Sequence, residues 1–445
     1  MKRTPITKIL TASLVCGLAI PAVGSAATVT VGPGTTNWEQ NWANATVLED
    51  GTWLVPAASA GDLAIINQGK VVQVDTTISV AAGDVIIANT ASGQPETFLE
   101  VNSGGSLTTA TLTVSAALDA GDLKVQGGAL TTEALNINEN GTATVSSGSL
   151  MSTTIAVKTG SVMTVNGTGA VTTTGAFTNA GTTHVTGGTL ATGTNQISVT
   201  GGSFNVNGGA VTVTGGASAT AGALKADGGD INLTSGSITV NENSAGGGTT
   251  NATGTGSGKL NIAGGDFIVT GQTAGNDTVQ FNGEVTISGG SFSVAAGQVI
   301  TNGLAIFNIV GDATTSIEMN NLNLVNTRTA TFNFTFDDDG VETVTNTGFM
   351  GLSAVTLNVD GSAYAGGIAS FDLFTSANLT SIIESGNIAV SGLGVEGVDW
   401  EIVQGFGVGG DNNVTLNILT IPEPSAYALL AGLLKLGFVT VRRRR

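Results

Sequence analysis

The sequence predicts an all-β protein. It reads as a parallel β-helix, right-handed by crossover preference, with a C-terminal antiparallel β segment, an N-terminal signal helix and a short C-terminal hydrophobic helix. Three observations carry this. A glycine pair followed by alternating apolar residues recurs along the body. Only 10% of residues are charged and 66 of 445 are glycine, where a globular enzyme has about 25% charge. The one cysteine, Cys16, lies near the N-terminus, so a packed core rather than disulfides must hold the rest.

Residues 1–27 read as a secretory signal peptide. Lys2, Arg3 and Lys8 precede an apolar run over residues 9–20, and the small residues Gly24, Ser25, Ala26 and Ala27 follow. The run is shorter than the about 20 residues a bilayer span needs, and the small residues suit cleavage near Ala26 or Ala27. Lipid attachment at Cys16 is disfavoured, because Ser13-Leu14-Val15 lacks leucine three residues before it.

Residues 28–60 bring Trp38, Trp42 and Trp53 close together before Pro56, and Gly61-Asp62-Leu63-Ala64-Ile65-Ile66-Asn67 follows. Large rings here would cap the open end of a stack and block edge pairing; an aromatic sugar platform is the alternative. The segment resembles the start of autotransporter-type β-strand-repeat passengers, which implies a β-helical body.

Residues 61–303 form that body. Gly-Gly-x-apolar-x-apolar occurs with Phe204 and Val206, Val211 and Val213, Ile231 and Leu233, Phe267 and Val269, and Phe292 and Val294. Weaker copies follow Gly104-Gly105, Gly127-Gly128 and Gly187-Gly188. Alternation puts one side chain in and the next out, and glycine turns the chain sharply before each strand. Strands this short bury a face only by stacking coil on coil. Coils of about 20–25 residues would give roughly ten to twelve over residues 60–310, rising about 4.8 Å each. An antiparallel sandwich is the rival architecture. The Gly-rich residues 244–258 have almost no apolar content and are expected to leave the solenoid as a loop.

Over residues 304–420 glycine pairs thin out. Longer strand-like runs appear at 330–336, 355–359, 400–403 and 414–418, expected to close the other end with antiparallel hairpins.

Residues 421–445 hold the most specific pattern. Pro422-Glu423-Pro424-Ser425 precedes an apolar stretch, residues 426–441, and then Arg442, Arg443, Arg444 and Arg445. In this order the tail resembles the PEP-CTERM family, in which motif, hydrophobic helix and basic end are read by an exosortase, a membrane protease-transpeptidase. The resemblance implies transient insertion in the inner membrane of a Gram-negative-type bacterium that makes exopolysaccharide, with surface or matrix delivery after processing. The physics agrees: a helix of about 16 residues at 1.5 Å each spans marginally, and four arginines stay on the cytoplasmic side. Lys435 interrupts the stretch but can snorkel.

Between the two ends only six Lys and Arg remain, against 32 Asp and Glu if Glu423 is included, or about −26. This excludes nucleic acid as a partner, since phosphate binding needs clustered cations. Solubility and divalent cations are favoured instead.

Little chemistry is legible. His184 is the only histidine, which excludes multi-histidine metal sites, and its strand-like setting marks it as solvent-facing. Gly-x-Gly-x-x-Gly occurs at residues 392–397 and 405–410, but strand-like sequence follows each, so no helix N-terminus awaits a phosphate. Asp337-Asp338-Asp339 before Gly340 is a hairpin turn in the simpler reading and a calcium site in the sharper one. The chain therefore reads as an exported structural or adhesive matrix protein without a cofactor. Its alternative is a polysaccharide lyase or hydrolase on a β-helix, for which no cluster of carboxylates with a basic residue is visible.

Overall fold

In the computed structural model, the described residues are 28–31, 46–47, 53–54, 63–66, 71–74, 77–79, 84–87 and, with short breaks, 97–419. The signal segment, Trp38, Trp42 and the whole tail, with Pro422, Glu423, Pro424 and Arg442 to Arg445, lie outside them. The fold is a parallel β-solenoid of about 10 turns with antiparallel strands at its C-terminal end. Two compact units divide the chain, residues 1–285 with 290–298, and residues 286–289 with 299–445.

In the first unit each coil carries three strand faces. One coil holds Val162–Val165, Ala170–Thr173 and Phe177–Asn179; the next holds Thr182–Val185, Thr189–Thr192 and Ile197–Val199, each pairing in parallel with its counterpart. The repeat ranges from 19 residues, Ala170 to Thr189, to 35, Thr28 to Leu63, wider than expected.

Strict in-out alternation lines the core with columns. One runs Leu107, Leu130, Leu150, Val171, Leu190, Val211, Ile238 and Phe267, each paired with the next and buried. Burying such side chains contributes about 1.5–3 kcal/mol each. Every apolar residue of the five strong glycine-pair repeats is buried. The weaker copies differ in one place, and that difference is structural. Their second inward position is Thr109, Thr132 and Thr192, which stack with Ser152 and Thr173 into a continuous column of buried hydroxyls. Thr109, Thr132, Ser152 and Thr173 each donate to the carbonyl two residues on, pinning the bend into the third face.

Corners such as those at Gly202 and Gly236 need glycine. At Gly202, with φ +59°, a Cβ would overlap the Gly181 carbonyl oxygen one coil away, and at Gly236, with φ +84°, it would overlap that of Gly209. An L side chain is strained at these dihedrals even with free space.

Residues 244–258 are not simply a loop. Asn251–Thr255 is a strand paired in parallel with Leu224–Ala226 and Thr278–Phe281. Ladder pairing is a backbone property, so a segment almost without apolar side chains still fills that rung.

The second unit is itself stacked in parallel where hairpins were expected. Ala305–Val310 pairs with Ala330–Thr335, which pairs with Val355–Asp360, which pairs with Ile388–Ser391. Among the described residues, antiparallel strand pairing in this unit joins Asn413–Ile418 to Ala369–Ser381 and to Trp400–Gln404. Rings replace aliphatics in this core: Phe307 and Phe332 stack at 4.7 Å, and Phe374 meets Phe332 edge-on at 5.1 Å. Outside, in-register asparagines form ladders, Asn205, Asn232 and Asn261 in the first unit and Asn308, Asn333 and Asn358 in the second, each amide donating to the previous side-chain carbonyl at 2.7–2.8 Å.

Candidate functional site

Three successive corners of the second unit differ in length. The chain turns through residues 325–329 before Ala330–Thr335, through 352–354 before Val355–Asp360, and through 382–387 before Ile388–Ser391, the last including a single 3-10 turn, Ser385–Asn387. The middle corner is the shortest, closed by Val355 N–H donating to the Leu352 carbonyl at 3.0 Å. It is also tied inward, because the Leu352 and Ser353 N–H groups both donate to Ser381 Oγ, at 2.9 and 3.2 Å. A groove of about 460 Å³ results, lined among others by Asn326, Thr329, Ser353, Thr356, Glu384 and Asn387.

The lining is two amides, four hydroxyls and one carboxylate beside three alanines, with no lysine or arginine. Such groups donate and accept hydrogen bonds in all directions, which suits a ligand rich in hydroxyls. Glycoside hydrolysis uses two carboxylates about 5–9.5 Å apart, and Glu384 is the only one lining this groove. Glu384 is held by its backbone, whose carbonyl accepts from Asn387 N–H at 2.9 Å, and next to it Gln404 Nε2 donates to the Ile383 carbonyl at 2.9 Å. No local motif marks the groove, because its residues come from four coils spaced along the chain.

The residues singled out in the sequence lie elsewhere. Asp337, Asp338 and Asp339 form the expected turn, with Gly340 N–H donating to the Asp337 carbonyl at 3.2 Å and Gly340 at φ +115°. Asp337 Oδ1 accepts from Asp339 N–H at 3.0 Å, while Asp338 Oδ1 accepts from Ala365 N–H at 2.6 Å, tying the turn to a neighbouring loop. In that loop Tyr364 donates to the Gly367 carbonyl at 2.6 Å, and burial, with the Asp338 charge adding to it, pushes its phenol pKa up. The three carboxylates do not converge. Among the described residues no group of three or more His, Cys, Asp or Glu is placed to hold a metal, and backbone N–H groups occupy one oxygen each of Asp337 and Asp338.

His184 is half-exposed on the outward side of Thr182–Val185, with the Asn205 amide 3.5 Å from Nδ1, at the foot of the first-unit asparagine ladder. At residues 392–397 no helix follows; Gly392, Gly394 and Gly397 all have positive φ, and Asp399 Oδ2 accepts from Val395 N–H at 2.8 Å. Part of the second such segment, 405–410, lies outside the described residues. Among the described residues no helix is long and apolar enough to cross a membrane. Comparison with protein-family models, with curated proteins and with solved structures finds no match to this chain.

Proposed function

We propose that this chain is an exported surface or extracellular-matrix protein, sorted by an exosortase through its tail, whose solenoid binds or scaffolds exopolysaccharide without turning it over. The observation that carries the reading is the order of the last residues: Pro422-Glu423-Pro424, an apolar stretch over 426–441, and four arginines. On this reading residues 426–441 enter the inner membrane transiently and the processed protein reaches the cell surface or matrix. Support for a binding role comes from the groove, whose amides and hydroxyls suit a sugar chain and whose single carboxylate falls short of a hydrolytic pair.

Two measurements test this. Replacing Pro422, Glu423 and Pro424 with alanine is expected to leave an uncleaved, membrane-held precursor; intact mass of the wild-type exported protein ending at Arg445 would refute sorting. Co-sedimentation of residues 28–421 with the producing cell's polysaccharide is expected to show binding that weakens several-fold in Asn387→Ala and Glu384→Gln. Release of reducing sugars or unsaturated uronides would establish the lyase or hydrolase alternative.

A further inference from the structure

We propose that the C-terminal end of the second unit, around Ile368, Val395 and Val398, is a contact surface for the headgroup layer of a lipid bilayer, engaged while the tail is still inserted. The inference rests on the reading of residues 426–441 as a membrane-inserted tail and adds a second point of contact.

Ile368, Val395 and Val398 are the three most exposed large apolar side chains among the described residues, at 75%, 62% and 59%. Scattered singly, such residues need no explanation. These three are not scattered. Ile368 directly precedes Ala369, which pairs with Ile418, which pairs with Trp400. Val398 N–H donates to the Val395 carbonyl at 3.2 Å, so the two valines share one turn just before Trp400. Leu419 N–H donates to the Asp399 carbonyl at 2.8 Å, fixing the departing chain beside that turn. All three apolar side chains thus lie at the point where the chain leaves the solenoid towards its tail.

Six residues, 420–425, separate this point from the apolar stretch. Fully extended they reach about 20 Å, and a bilayer's headgroup layers add only about 5–7 Å on each side of the hydrocarbon. A tail in the membrane therefore holds this end at the bilayer surface, where exposed valine and isoleucine gain from the interface. Glu396 is exposed beside the valines and repels anionic lipid, so the partner surface is a zwitterionic one.

The test uses the full chain with Cys16→Ser, which leaves no other thiol, and single cysteines at Val398→Cys, Ile368→Cys and, as control, Thr131→Cys on the outer face of the first unit. Each is labelled with a polarity-sensitive fluorophore and mixed with vesicles of phosphatidylcholine and phosphatidylethanolamine. At 398 and 368, emission is expected to rise several-fold and to be quenched by spin-labelled lipid, with no change at 131. If the protein floats with the vesicles but all three labels behave like the control, the surface is refuted and the tail reading stands. If the protein does not float, both fall.

Discussion

Thr183 donates its hydroxyl to Asn179 Oδ1 at 2.8 Å inside the core of the first unit, where both residues are fully buried. Asn179 interrupts a column that otherwise runs Val114, Ile137, Val157, then Val199 and Ala226. Its amide donates to the carbonyls of Gly181 and Ser203, at 3.2 and 3.1 Å, so the side chain clamps the corner between two coils. Asn179→Ala strands these partners and is expected to cost about 1–3 kcal/mol, read as a lower denaturation midpoint. Thr183→Val is expected to cost less, because the two carbonyl contacts survive. Equal losses would mean the corner does not depend on the amide.

The hydroxyl column gives a prediction of opposite signs. Thr132 Oγ1 lies 3.0 Å from both the Ala110 and Ala134 carbonyls, whereas the Thr192 hydroxyl is buried without a hydrogen-bond partner among the described residues. Thr132→Val is expected to destabilise by about 1 kcal/mol, and Thr192→Val to be neutral or stabilising. Valine already occupies the next rung at Val213. A melt below wild type for Thr132→Val, and one at or above wild type for Thr192→Val, is the expected result.

Glycine tolerance separates conformation from composition. Gly202→Ala combines positive φ with overlap of a neighbouring coil's carbonyl, while a Cβ at Gly386 meets nothing within 4 Å. The first is expected to cost well over 1 kcal/mol and the second to stay within about 0.5 kcal/mol, read from denaturation midpoints.

Two ionisable groups set opposite pH edges. The Ser362 N–H, at 3.0 Å, and the Ser391 hydroxyl, at 3.1 Å, hold the Asp360 carboxyl below the usual carboxylate range. Its contribution is present above about pH 3.9 and is lost as pH falls through the lowered value. The hydrogen bond to Glu284 at 2.7 Å holds the Lys259 ammonium above the usual lysine range. Its contribution is complete below about pH 10.4 and disappears as pH rises through the raised value. The difference in melting temperature between wild type and Asp360→Asn is therefore expected to close only in strong acid, and that for Lys259→Gln only in strong alkali. Both gaps are expected to be small, because exposed pairs are screened.

The sequence by itself determined the strand pattern and the inward set. Phe204 and Val206, or Phe267 and Val269, are legible because alternation is local: the pleat turns each side chain opposite to its neighbours whatever the rest of the chain does. The late runs at 330–336, 355–359, 400–403 and 414–418 correspond to Ala330–Thr335, Val355–Asp360, Trp400–Gln404 and Asn413–Ile418 for the same reason. Tertiary structure alone decided which corner each glycine pair serves. Gly201-Gly202 and Gly228-Gly229 turn the chain into the first strand face, while Gly208-Gly209 and Gly264-Gly265 turn it into the second, although the motif reads alike. It also decided that residues 251–255 belong to the stack, that the parallel ladder persists to Ser391, and that Asn326, Ser353 and Glu384 share one groove. These are relations between residues some 20 to 30 positions apart. Such relations depend on coil length and register, which are fixed only when each coil has a neighbour to pair with.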